Sequence, residues 1–162
     1  MSIVWGFDLG VRSLYAARLD GGGLDLFSRK LVIHKQDRWE ELYALAQWIK
    51  SLGVDGPSFI EEPPLAGARN LQTFLHLAQV SGVVSAAARP SILVPVSSWK
   101  LGTVGRGNAS KDQVADWLRA RHAPWYALCG GDQNFIDATC IGIYGLGASG
   151  PSAQRPVGAH AH

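Results

Sequence analysis

Residues 1–10 read MSIVWGFDLG, an apolar run from Ile3 to Leu9 interrupted by one acid, Asp8, and closed by Gly10. A short apolar run bounded by glycine has the form of a buried strand. Two more such runs follow after brief breaks, Leu14 to Leu19 and Leu24 to Ile33, the second preceded by Gly21-Gly22-Gly23. The chain therefore opens with three antiparallel strands.

Beyond Asp37 the pattern changes period. Leu42, Leu45, Ala46, Ile49 and Leu52 recur at three- and four-residue spacing and Gly53 follows, which predicts an amphipathic helix over 37–52. Pro57 to Glu61 is a short strand ending in Glu61 and Glu62. Leu71, Phe74, Leu75 and Ala78 then set helical spacing from about Arg69 to Ala88. Ser91 to Val96 predicts another strand, and Ser110-Lys111-Asp112-Gln113 has capping-box spacing ahead of Val114, Trp117 and Leu118. Asn134 to Leu146 predicts a last helix, weakened by Gly142 and Gly145. The order is α/β: a mixed β-sheet of three antiparallel and then parallel strands, flanked by helices. Residues 1–147 form one domain, and 148–162, rich in Gly, Pro, Ser and Ala without periodicity, form a disordered tail.

With 162 residues, 47% of them hydrophobic, the chain holds one core and needs no disulfide to stabilise it, so Cys129 and Cys140 are expected to be free thiols. No apolar run is long enough to span a bilayer, and Asp8 stands where a signal peptide needs a basic residue, so the expected setting is the cytoplasm. A net charge of +2 permits a polyanionic partner without requiring one.

Ten of the 13 acidic residues lie in polar or turn-like surroundings, and three do not. Asp8 sits in Val-Trp-Gly-Phe-Asp, Glu61 closes Ser-Phe-Ile-Glu, and Asp137 lies within Asn-Phe-Ile-Asp-Ala-Thr-Cys-Ile. Burying such a carboxylate costs several kcal/mol unless a cation or a proton accompanies it. If the three elements converge, a divalent cation is the economical partner. Oxygen donors with no Cys-x-x-Cys and no spaced His pair select Mg²⁺ or Mn²⁺ over zinc.

Four stretches in order, Gly6-Phe7-Asp8-Leu9-Gly10, Phe59-Ile60-Glu61 leading into a helix with Ala78-Gln79-Val80-Ser81-Gly82, Gly105-Arg106-Gly107-Asn108-Ala109-Ser110-Lys111, and Asp137-Ala138-Thr139-Cys140-Ile141, resemble the RuvC family of Holliday junction resolvases. The resemblance spans residues 3–145. It implies a ribonuclease H-like fold, a homodimer that binds four-way DNA junctions, and two Mg²⁺ or Mn²⁺ ions per active site. It also implies symmetric phosphodiester hydrolysis leaving 5′-phosphate and 3′-hydroxyl ends. Asp8, Glu61 and Asp137 match three of the family's four acids. At the fourth stands Asn134, where family members carry Asp or sometimes His. Its amide oxygen can coordinate but brings no charge. Asp132, as ligand or helix N-cap, and Glu62, on the opposite face of its strand, are the other candidates.

For DNA, Lys100 and Lys111 flank a glycine-rich loop, Gly102 to Gly107, that carries Arg106, and Lys111 opens a helix whose amides can receive a phosphate. Both lysines match basic positions of the family, and Arg69 is a further candidate. Where the family carries an aromatic wedge this chain reads Pro63-Pro64-Leu65-Ala66-Gly67-Ala68-Arg69, so Leu65 is the apolar substitute and action on forks and flaps is expected as well. The long helix from Arg69 is apolar on much of its circumference, which suits a homodimer. The tryptophans, Trp99 among them, fit packing positions. Two rivals share the acids: a YqgF-like nuclease acting on RNA, and a branched-DNA binder that does not cut. A helicase partner is left open. A sugar-kinase-like ATPase would need a second domain that 162 residues do not hold.

Overall fold

The structure, a computed structural model, describes residues 2–32, 37–63 and 71–148. The three opening strands are β1 (Val4–Leu9), β2 (Ser13–Asp20) and β3 (Gly23–Lys30), paired antiparallel. Helix α1 (Arg38–Ser51) follows, then β4 (Ser58–Glu61), α2 (Leu71–Ala87) and β5 (Ser91–Val94). The chain continues through α3 (Val96–Val104), α4 (Lys111–Arg121), α5 (Ala123–Leu128) and α6 (Gln133–Ala148). The sheet runs β3-β2-β1-β4-β5, with β4 parallel to both β1 and β5. This is the mixed, helix-flanked sheet of the ribonuclease H-like fold.

Side-chain alternation sorts the strands onto two cores. Trp5, Phe7 and Ile60 pack against Leu45 and Ile49 of α1 and Val80 and Val84 of α2. Val4 and Phe59 face the other way, onto Trp99 of α3, Val114 and Leu118 of α4, and Ile136, Cys140 and Ile141 of α6. Asp8 and Glu61, two residues beyond Gly6 and Phe59, therefore share the α6 side. At the far end of the sheet Arg18 joins Asp20, Asp25 and Asp55, and Trp5 donates to Asp55, so β1, β2, β3 and the loop entering β4 are held together.

Four sequence expectations change. The strand from Ser91 stops at Val94, because Val96 already begins α3. Gly102 is not in a loop: it lies inside α3, where a Cβ would come 2.6 Å from the Tyr144 ring, so its small size allows α3 to lie on α6. Only Gly105, in the left-handed region at φ 84°, ends that helix. The short helix α5, with Pro124 in its first turn, adds an element that six residues are too few to announce by period. Trp39, expected to pack, is 73% exposed. Cys129 and Cys140 are buried free thiols, as expected.

Gly142 and Gly145, which weaken α6 by propensity, are where that helix meets the sheet. A Cβ on Gly145 would meet Phe59 and Val4; one on Gly142 would meet Leu19; and one on Gly6 would fall on the Ala138 carbonyl and the Gly142 amide. Backbone cannot move aside as a side-chain tip can. Gly6→Ala is expected to destabilise the protein by about 3 kcal/mol, measured by chemical denaturation, whereas Gly147→Ala, with open space around it, changes stability little.

Candidate active site

Three of the five expected catalytic residues come together on the α6 side of the sheet. The parallel register pairs Phe7 with Ile60, which sets Asp8 and Glu61 on the next rung at the C-terminal ends of neighbouring strands. Tyr15 is paired with Asp8 from β2, and its ring meets Phe135 of α6 edge-on at 4.9 Å. Asp137 projects from the first turns of α6, above the Gly6 contact.

The acids lie within electrostatic reach of one another. Burial pushes the Asp8 carboxyl up to about 8, reinforced by the charges of Glu61, Asp137 and Asp132 and opposed by Lys111. Glu61 is raised chiefly by burial and also by Asp137, against a hydrogen bond from Trp99 and the charges of Lys100 and Lys111. Asp137 is raised by burial, against a hydrogen bond from Gln133 and the same two lysines. The acids and the lysines thus share one field.

Asp132 takes the helix-cap role. Its Oδ1 accepts the Asn134 amide at 2.9 Å and its carbonyl accepts the Ile136 amide at 3.1 Å, yet its charge still reaches Asp8. Asn134 lies half-buried one turn before Asp137. Glu62 leaves the site: it lines a groove of about 360 Å³ with Phe74, Ser81 and Leu93, on the α2 side. Lys111 is the first residue of α4, behind a formed capping box in which Ser110 Oγ accepts the Gln113 amide at 3.2 Å and Gln113 Oε1 accepts the Ser110 amide at 3.0 Å. Lys100 Nζ donates to the Ala109 carbonyl at 2.8 Å, tying α3 to the loop in front of α4. Arg106 is exposed in that loop. Leu65 and Arg69 lie outside the described residues.

Two contacts were not legible as function. Trp99 Nε1 donates to Glu61 Oε2 at 3.1 Å, and Gln133 Nε2 donates to Asp137 Oδ1 at 2.7 Å. The second could have been found from its i,i+4 spacing; the first joins residues 38 apart and leaves no periodic trace.

The donor set is oxygen only, and its acids repel one another, which suits a hard divalent cation. Among the described residues no three His, Cys, Asp or Glu side chains are gathered tightly enough to hold an ion as they stand. The acids share one face without closing into a cluster.

A raised carboxyl pKa sets the sign of a stability effect. Below about pH 4 Asp8 is neutral in folded and unfolded chains alike; as pH climbs toward 8 only the unfolded chain releases the proton, so the metal-free fold loses stability over that interval. Asp8→Asn is expected to stabilise the metal-free protein by about 1–3 kcal/mol at pH 8 and by nothing near pH 4, read from thermal unfolding in chelator.

No protein-family model matches the sequence, and a search of curated proteins finds no match. Solved structures do share the architecture. RuvC of Thermus thermophilus superposes with a TM-score of 0.62 at 17% identity, over 90% of this chain and 94% of that one. T. thermophilus RuvC in complex with a Holliday junction substrate gives 0.67 at 18% identity, over 89% and 92%. Fowlpox virus resolvase in complex with its substrate Holliday junction DNA gives 0.55 at 11% identity, over 90% and 97%. The chain therefore carries, over nearly its whole length, the ribonuclease H-like fold on which the Thermus and poxvirus Holliday junction resolvases are built.

Proposed function

We propose that the protein is a divalent-cation-dependent endonuclease that cuts branched DNA, four-way junctions foremost, by hydrolysing phosphodiesters to 5′-phosphate and 3′-hydroxyl ends. The observation that carries this reading is the meeting of Asp8, Glu61 and Asp137 on one face, with Lys100 and Lys111 in the same field. Those three acids would hold two Mg²⁺ or Mn²⁺ ions, with Asn134 or Asp132 completing the set. Bound there, such ions supply a water of lowered pKa and charge to offset that on the departing 3′ oxygen.

The chain's own part is to bring the strand to the acids. Lys111 and the amides at the start of α4 form a phosphate seat, Lys100 and Arg106 lie along the approach to it, Leu65 is assigned to the junction centre as an apolar wedge, and Arg69 is a further DNA contact. Four carboxylates would leave the site strongly negative toward DNA. Three, with a neutral Asn134, weaken cation binding and reduce that repulsion, which favours as second reading a protein that holds junctions without cutting them.

A homodimer suits a two-fold junction, and the α2 side supports one. Leu71 is 71% exposed, Leu75, Ile92 and Leu93 about half, and the groove beside them is lined by Phe74, Ala78 and Gly82. We assign this apolar surface to a second copy, which a two-fold junction suits; no helix among the described residues is long and apolar enough to cross a membrane. Gly82→Arg, at a position where an added Cβ has nothing within 4 Å, is expected to turn a dimer into a monomer in sedimentation equilibrium.

The deciding experiment is cleavage of an end-labelled four-way junction in Mg²⁺ and in Mn²⁺, beside a 5′ flap, a splayed fork and an RNA–DNA hybrid. Paired symmetric nicks that vanish in Asp8→Asn are the expected result. Preference for the hybrid would move the protein to the RNA-acting nucleases, and binding without cutting in either metal would make it a junction binder. Lys111→Ala is expected to weaken junction binding and to reduce the slope of log affinity against log salt by about 0.9 for the phosphate it loses.

A further inference from the structure

Glu61 and Asp137 each meet one nitrogen donor, and both donors are neutral. The indole of Trp99 reaches Glu61 Oε2 at 3.1 Å, and the amide of Gln133 reaches Asp137 Oδ1 at 2.7 Å. Neither residue belongs to the set that matches known resolvases by motif. We propose that Trp99 and Gln133 are positioning residues, each holding one carboxylate oxygen with an uncharged N–H so that the other oxygen stays free and anionic for a divalent cation. This rests on the cation reading given above.

Three features support the assignment. The first is rigidity. Trp99 is 1% exposed, packed among Val94, Val114 and Ile136, and its backbone amide is fixed on the Pro95 carbonyl at 3.2 Å. An indole locked in this way has one direction in which to donate, so Glu61 is held in one rotamer before any ligand arrives. Gln133 is held differently, one turn ahead of Asp137 on the same helix, where i,i+4 spacing brings the two side chains together.

The second is charge. A lysine or arginine in either place would fix the acid just as firmly but would cancel the charge a cation needs. A neutral donor favours the ionised carboxylate without neutralising it. Both bonds end on uncharged N–H groups, so each fixes a carboxylate oxygen and leaves the charge in place. The cations of the site, Lys100 and Lys111, act through space on the acids, and the hydrogen bond Lys100 makes is to the Ala109 carbonyl.

The third is linkage. Lys100 Nζ lies 5.6 Å from the centre of the Trp99 ring while it holds Ala109, in the loop that leads into Ser110 and Lys111. The residue that orients Glu61 is thereby packed beneath the one that fixes the phosphate seat. Moving the loop disturbs the acid, and the acid reports on the loop.

The test uses the full chain and two readouts besides activity. Tryptophan-labelled protein gives indole ¹⁵N–¹H signals, with that of Trp99 identified by its loss in Trp99→Phe. It is expected to move in Glu61→Gln and on Mg²⁺ titration. The indole of Trp5, which donates to Asp55 at 3.1 Å at the other end of the sheet, stays in place as an internal control. Mn²⁺ affinity, measured by electron paramagnetic resonance, is expected to weaken about tenfold or more in Trp99→Phe and in Gln133→Met. The second variant is half-buried and on a helix surface, so it remains informative if the first unfolds.

Mn²⁺ affinity within about twofold of wild type in both variants overturns the assignment and leaves the cation site standing. Affinity that depends on both donors in a protein that cuts no branched DNA upholds the assignment and removes the nuclease reading. Wild-type protein that binds no Mn²⁺ removes both, and the Trp99 bond is then structural.

Discussion

The approach of α6 to β1 is the contact on which the remainder depends. Gly6 lies against the Ala138 carbonyl and the Gly142 amide so closely that no side chain fits between strand and helix. This sets the height of α6 above the sheet, and with it the position of Asp137, one residue before Ala138, over Asp8, two residues after Gly6. A methyl group in that contact would lift the helix and separate the acids. The same glycines that lower the helical propensity of α6 therefore let it lie on the sheet, since close packing outweighs a propensity cost of about 1 kcal/mol each.

Around that contact the charges are divided by kind. At the distal end of the sheet Arg18 meets Asp20, Asp25 and Asp55 directly, and its charge-assisted bonds hold Asp55 below the usual carboxylate range. At the opposite end Asp8, Glu61 and Asp137 are all raised, although Lys100 and Lys111 are near. Ion pairs that serve stability are closed; those beside the acids are left open. A fold selected for stability alone would pair Asp8 with an arginine or replace it by a hydrophobic residue. That the chain instead carries a buried carboxyl raised by its acidic neighbours makes this the candidate site.

Much of this was legible in the sequence, and what was missed has physical reasons. Asp8 and Glu61 stood out because acids inside apolar strands are costly, and the helix 37–52 because Leu42, Leu45 and Ile49 keep strict spacing; α1 runs Arg38–Ser51. Ser110 and Gln113 announced a capping box that forms in both directions. The helix α3 was hidden because Gly102 and Gly105 sit within ten residues of its start and resemble a loop, though one packs on Tyr144 and the other ends the helix. Trp99 was legible as a core residue and not as a donor, since burial follows from local pattern while a partner 38 residues away follows from topology. The fourth position, Asn134 or Asp132, rests on side-chain orientation at a helix start, which spacing does not encode.

Glu61 and Glu62 show how little chain separates the two surfaces. Alternation at the end of β4 sends Glu61 toward α6 and the acids, and Glu62 toward α2 and the apolar groove. The Glu62 amide donates to the Val94 carbonyl at 2.9 Å, one residue from Pro95, whose carbonyl accepts the Trp99 amide. A second copy seated on the α2 side would press on the strand end from which Glu61 projects, and the β5–α3 corner would carry that pressure to the residue holding Glu61. The apolar groove and the acid face thus share one rung of the sheet. On the proposed reading, a subunit contact on that surface would lie next to Glu61, the acid that Trp99 holds.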